Sequence, residues 1–132
     1  MDLDESHRIV AEQHRAVLGT LRANGEPQLS PVLITTGGPG VLAVSTTAGA
    51  AKVRNLRRHP RAWVCVLPEA FFGRWIQVDC DAEVVDQPEA LPLLEDYYRS
   101  ISGEHEDWDA YREAMRGEDR VLLRLTPTRA VG

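Results

Sequence analysis

Alternating apolar and polar positions predict strands over much of this chain. Ala16 to Arg22 (AVLGTLR) reads as one, Ala23-Asn24-Gly25-Glu26 as a tight turn of the Asn-Gly type, and Gln28 to Thr36 (QLSPVLITT) as the hairpin partner. Pro31 removes a ladder donor from that second strand, so the strand is expected to lie at an edge or to bulge there. A bulge near Ser30-Pro31-Val32 would leave backbone groups free for a flat ligand. Gly37-Gly38-Pro39-Gly40 forms the next turn, and Val41 to Ser45 a third strand. Arg61 to Leu67 reads as a fourth. A loop over Pro68 to Gly73 leads into a long strand, Arg74 to Val85, whose alternation sets Trp75, Gln77 and Asp79 on one face and Ile76, Val78 and Cys80 on the other. Arg120 to Thr126 is a last strand, and Arg129 to Gly132 reads as the start of another.

Helical spacing interrupts this pattern three further times. Residues 4–15 form a short amphipathic helix with Ile9 and Val10 inward, along with Leu3 or His14, suited to covering one end of a barrel. Pro88 to Ser102 is a helix with Leu91, Leu94 and Tyr98 inward, and Asp107 to Arg116 a shorter one, with Gly103-Glu104-His105-Glu106 between them. Five or six antiparallel strands in hairpins, with no βαβ rhythm, predict a mainly β fold with helices (α+β): a small closed or split β-barrel whose ends the helices plug.

The chain of 132 residues is read as one domain, residues 1–132, long enough for a core but short for a site enclosed by one subunit, so a site shared across a dimer fits this length. A formal charge of −5 argues against general nucleic-acid binding. No apolar run approaches a membrane span and the first residues, MDLDESHRIVAEQHR, contain no apolar signal core, from which a cytoplasmic location is expected. Cys65 and Cys80, on neighbouring strands without metal spacing, read as reduced core thiols.

Charge changes the picture in one place. The segment Ser45 to Arg61 (STTAGAAKVRNLRRHPR) opens with hydroxyls and continues as a helix carrying Lys52, Arg54, Asn55, Arg57, Arg58 and His59 until Pro60 stops it. Lys52 is the only lysine. Lys52, Asn55 and His59 fall on one side at helical spacing, with Val53 and Leu56 on another that packs inward. Hydroxyls and free N–H groups at a helix start, followed by an ammonium and an amide, suit a phosphate or other anion. The alternative is a capped, solvated basic helix.

No motif supplies self-sufficient catalysis: there is no G-x-S-x-G, no H-E-x-x-H and no P-loop. His7, His14, His59 and His105 have no ligand spacing, so no metal site is expected. His105 is either a proton donor or a loop residue tying two helices together. Trp75 either stacks on a planar ring, contacts a second subunit, or fills core. A redox enzyme built from these parts would take its chemistry from a cofactor.

In order and spacing, several stretches resemble the pyridoxamine 5′-phosphate oxidase-like split β-barrel superfamily, and within it the deazaflavin-dependent oxidoreductases of group B, which use coenzyme F420. They are Leu18 to Val32, Ser45 with Lys52 to Pro60, Trp75 to Glu83, and Ile101 to Met115. The resemblance implies a homodimer with cofactor sites at the subunit interface and hydride transfer from the reduced coenzyme to an unsaturated or conjugated organic substrate. It implies that Ser45, Thr46, Lys52 and Asn55 hold the cofactor phosphate, that Arg54, Arg57 and Arg58 meet an acidic tail, that Ser30, Pro31 and Val32 lie along the ring, and that Trp75 and Gln77 come from the other subunit. The chain lacks the Arg-x-His pair of the oxidases proper, which counts against vitamin B6 oxidation. FMN is the alternative cofactor, and a non-catalytic carrier of a cofactor, heme or bilin is the alternative from a different class.

Overall fold

The computed structural model describes residues 1–132. Six strands, β1 (Arg15–Leu21), β2 (Pro27–Thr36), β3 (Leu42–Thr47), β4 (Arg61–Val66), β5 (Ile76–Val85) and β6 (Arg120–Val131), close into an antiparallel barrel in the order β1-β2-β3-β6-β5-β4, with β4 returning to pair with β1. Four helices accompany them: α1 (Leu3–Glu12), α2 (Ala51–Arg58), α3 (Ala90–Ser102) and α4 (Trp108–Gly117).

The alternation that predicts the strands also fills the barrel. Ala62, Val64 and Val66 of β4 and Ile76, Val78 and Cys80 of β5 point inward, joining Leu18, Ile34, Val44, Leu123 and Leu125 in a core that excludes water. Two helices plug opposite ends. Val10 of α1 enters the core near the start of β1, where the His14 carbonyl accepts the Ile34 N–H. Val53 and Leu56 of α2 enter at the other end, where Asn55 and Arg58 reach Thr20 and Leu21. The α3–α4 pair instead packs outside, on the outward-facing Ala43 and Leu122, through Ala90, Leu94 and Tyr111. The Tyr111 hydroxyl donates to the Leu94 carbonyl and Arg112 donates to Glu95, so the two helices hold each other. His105 lies among Tyr98, Trp108 and Tyr111 with its Nδ1 accepting the Asp107 N–H, which is the helix-tying role.

Several expectations are corrected. The first helix ends at Glu12 rather than residue 15, because Arg15 already pairs with Leu33. Leu3 is exposed, and His14 bonds the Ile34 carbonyl instead of packing inward. Thr46 and Thr47 do not lead into the basic helix: they carry β3 on beyond Ser45, opposite Val121 and Arg120, and α2 begins at Ala51 with no side-chain cap on Ala50. β-branched threonines take the extended backbone readily, and β6 offers them a ladder. No bulge occurs at Ser30-Pro31-Val32, since β1 and β2 stay in register from Arg15↔Leu33 to Leu21↔Pro27; the irregularity lies at Asp79/Cys80 of β5. Trp75 precedes β5 rather than lying on it. The C-terminal residues form one strand, with Arg129 opposite Asp79, rather than two. No helix is long and apolar enough to cross a membrane.

Cys65 and Cys80 sit on opposite faces: Cys80 is wholly buried in the barrel and Cys65 half-buried outside it. Burial, with the negative charge of Asp79 adding to it, pushes the Cys80 thiol up to about 12. Cys80 is therefore expected to resist an aromatic disulfide reagent at mildly alkaline pH in the native chain and to be labelled only after unfolding. Two labelled thiols in the native protein would contradict a closed barrel.

Candidate functional site

The barrel wall is incomplete at one place. β2 and β3 pair only over Ile34–Thr36 with Val44–Leu42, so the rest of β2, from Leu33 back to Pro27, has β1 on one side and no strand on the other. Pro31 lies in this unpaired stretch, which is the edge that its missing donor predicts. The orientation of the backbone follows from alternation. Ile34 donates toward β1, to His14, so the peptide groups of Leu33, Pro31 and Leu29 face the gap. Backbone groups are thus free along a flat edge, as anticipated, but by ladder termination instead of by a bulge.

A slot of about 570 Å³ occupies the gap. Pro31, Val32 and Leu33 form one wall, and Ser45 and Thr46 of β3 with Arg120 of β6 form the other. Lys52 of α2 stands at the slot, and Tyr97, Tyr98, Tyr111 and Met115 of the outer helices close its far side. Aromatic and apolar side chains around a few polar groups make a surface suited to a planar ring bearing an anionic tail.

Lys52 is electrostatically the odd residue in this arrangement. The chain carries 20 carboxylate side chains, yet every close ion pair in the structure is made by an arginine. The Lys52 ammonium makes one long hydrogen bond, 3.3 Å to Ser30 Oγ. An ammonium left without a counter-ion beside hydroxyls and free backbone groups is a ready partner for an anion.

Asn55 has a different task from the one its spacing suggests. It is 7% exposed, and its amide nitrogen donates to Thr20 Oγ1 and Gln28 Oε1 while its oxygen accepts from Arg58. It pins α2 to the β1–β2 hairpin, holding Lys52 in place from beneath. The arginines are also engaged away from the slot. Arg54 donates to the Gly49 carbonyl and Arg58 to Asn55 and the Leu21 carbonyl. Arg57 forks onto both oxygens of Asp86, and that hydrogen bond holds the Asp86 carboxyl below its usual range. Trp75 and Gln77 lie by β5, on the other side of the barrel from β2 and β3. Within one chain the structure therefore gathers Pro31, Val32, Ser45, Thr46 and Lys52, with Ser30 adjoining. It does not gather Arg54, Arg57, Arg58, Trp75 or Gln77.

Five slot residues, Leu33, Tyr97, Tyr111, Met115 and Arg120, are not among the sequence-predicted site residues, and Tyr98 enters the sequence reading only as a core residue. The available signal is the Tyr97-Tyr98 pair on a helix with a narrow apolar face, which presents one ring to the core and leaves the other for a second partner. The Tyr97 hydroxyl donates to the Leu33 carbonyl at 2.9 Å. Burial raises the ionisation of this hydroxyl above the usual tyrosine range, with the Ser45 backbone N–H and Arg120 opposing the rise.

One outer face bears on how the site is completed. Pro31, Val17, Cys65 and Gln77 stand side by side across β2, β1, β4 and β5, and the next row is Leu29, Gly19 and Trp63. Leu29 is 67% and Trp75 49% exposed on or beside this face. Gly19 lets Leu29 and Trp63 flank it closely: a Cβ there would stand 3.2 Å from the Leu29 side chain.

Known structures share this architecture. A conserved hypothetical protein from Mycobacterium tuberculosis superposes with a TM-score of 0.79 at 24% identity, covering 98% of this chain and 82% of its own. An F420 reductase superposes at 0.73 with 21% identity, covering 95% and 94%. HutZ, the heme storage protein from Vibrio cholerae, does so at 0.72 with 19% identity, covering 99% and 94%. At these identities the likeness speaks for the fold, a split β-barrel. The family model described as pyridoxamine 5′-phosphate oxidase matches residues 3–131, nearly the whole chain. The chain belongs to the pyridoxamine 5′-phosphate oxidase family, a family of flavin-related oxidoreductases.

Proposed function

We propose that the slot between β2 and β3 binds coenzyme F420, and that the protein is a deazaflavin-dependent oxidoreductase acting on an unsaturated or conjugated organic substrate. The observation that carries the reading is the unpaired Lys52 ammonium beside the open β2 edge. The residues present fit such a group: an anionic tail meets Lys52 with the Ser45 and Thr46 hydroxyls, and a flat ring lies along Pro31 to Leu33 with aromatic rings behind it. When bound, the deazaflavin supplies hydride transfer. The chain's own residues orient the ring, hold its charged tail and shield one face from water. The likeness to an F420 reductase supports this choice over FMN, which would occupy the same slot with the same phosphate contacts.

We further propose that the site is completed by a second copy of the chain. The apolar face described above runs from the slot edge at Pro31 to Gln77 and Trp75 at its far side. A two-fold axis through that face exchanges its two ends, bringing one subunit's Trp75 and Gln77 toward the partner's slot. A carrier of heme or a bilin on the same barrel is the second reading, supported by the likeness to a heme storage protein. None of the four histidines lines the slot, so a heme there would lack an imidazole ligand from this chain.

Side-by-side fluorescence titrations with F420 and FMN test the cofactor. F420 is expected to bind more tightly, and Lys52→Ala to weaken it about tenfold or more while leaving thermal stability unchanged, as befits one charge-assisted contact. Equal affinity of the variant and the parent would remove Lys52 from the site. Asn55→Ala is expected to cost about 1–3 kcal/mol of folding stability by chemical denaturation, because Thr20, Gln28 and Arg58 lose a buried partner. Sedimentation equilibrium is expected to return twice the chain mass of 14.7 kDa; a monomer at micromolar concentration would reject the shared site.

A further inference from the structure

The β2–β3 ladder stops at a particular rung, and one side chain occupies the next. Gly37 donates to the Val41 carbonyl across the turn, so by alternation Thr35 and Leu33 of β2 face β3, and Ala43 and Ser45 of β3 face β2. The opposite side of β3 agrees, since Ala48 donates toward β6, to Asp119. Pairing ends at Ile34↔Val44, and the next pair, Leu33 with Ser45, would be hydrogen-bonded in both directions had the ladder continued. The Tyr97 hydroxyl lies there instead. It donates to the Leu33 carbonyl at 2.9 Å, the acceptor that the missing rung would have offered to the Ser45 N–H, and Ser45 lines the same slot.

Tyr97 is held in this position from two sides. α3 is anchored on the barrel by Leu94 and Ala90, and one turn beyond Tyr97 the Ser100 hydroxyl bonds Thr35 Oγ1 on β2 itself. The ring therefore enters the seam from a fixed support, and the Leu33 carbonyl keeps a partner without β3 touching it.

We infer that Tyr97 is a wedge: its hydroxyl takes the carbonyl that the Leu33–Ser45 rung would use, and so keeps the barrel wall parted at the width a flat ring ligand needs. The inference rests on the reading of the slot as a cofactor site. Tyr97 acts as a positioning residue, through the β2 and β3 backbones it separates. Without the hydroxyl, the Leu33 carbonyl is free to accept from the Ser45 N–H, which draws the strands together and narrows the slot.

Tyr97→Phe keeps the ring and removes the wedge. Two readouts on full-length protein decide the matter: the nuclear Overhauser contact between the Leu33 and Ser45 amide protons, and titration with F420 and FMN. The expected result is no amide–amide contact in the parent, its appearance in Tyr97→Phe, and at least a tenfold loss of affinity for whichever cofactor the parent binds. Lost affinity without the new contact would make Tyr97 a direct ligand contact and overturn the wedge, as would a new contact with affinity unchanged, or no change in either. If the parent binds neither cofactor, the cofactor reading fails, and the wedge stands or falls on the amide contact alone. If Tyr97→Phe does not fold, the parent decides: the Ser45 amide proton is expected against the Tyr97 ring edge and away from Leu33, and a direct Leu33–Ser45 contact there would overturn the inference.

Discussion

The early end of the β2–β3 ladder is the constraint on which the rest of this structure depends. A closed barrel has no edges, and every strand then has its peptide groups committed to neighbours. Here closure is made through β1–β4 and β3–β6, while one stretch of β2 keeps a free side inside an otherwise sealed wall. An edge in that position does not expose the molecule to open-ended pairing, because α2 lies at one end of it and the α3–α4 pair behind it. The free backbone is confined to a recess, where a small molecule fits and another strand does not.

The charge distribution follows the same plan. Arg57, Arg61 and Arg120 are spent on surface carboxylates and Arg54 on a carbonyl, where each pair contributes little to stability. Of the two cations that line the slot, Arg120 is paired with Glu118 and Lys52 is left without a counter-ion, and a buried amide fixes the helix that carries it. Asn55 and Lys52 thus divide a task that their shared helical face suggests is joint: one sets geometry and the other offers charge.

Most of the architecture is legible in the residues, and the reasons for the exceptions are physical. Alternation finds all six strands because each buries one face, and Ile76, Val78 and Cys80 fall inward as their spacing requires. The family is legible too, in the order of its marks along the chain. The boundary at Thr46 and Thr47 is misread because a hydroxyl run before a basic helix has the local look of a cap, whereas the partner that claims it, β6, lies more than 70 residues away. The slot is half legible. Pro31 and Lys52 announce themselves through a missing donor and a lone charge, but Tyr97 takes its meaning from a backbone carbonyl on a strand far from it in sequence, which no spacing rule brings to it.

The slot also straddles two pieces of structure with unequal cores. Its strand walls belong to the barrel, whose cluster holds 18 buried residues, but its far side belongs to helices whose own cluster holds five. Cooperative units with less buried apolar surface open at lower free energy than the domain as a whole. The far side of the slot is therefore the part of its lining held by the smaller core, and the local stability of that wall is set at Leu94 and Tyr111.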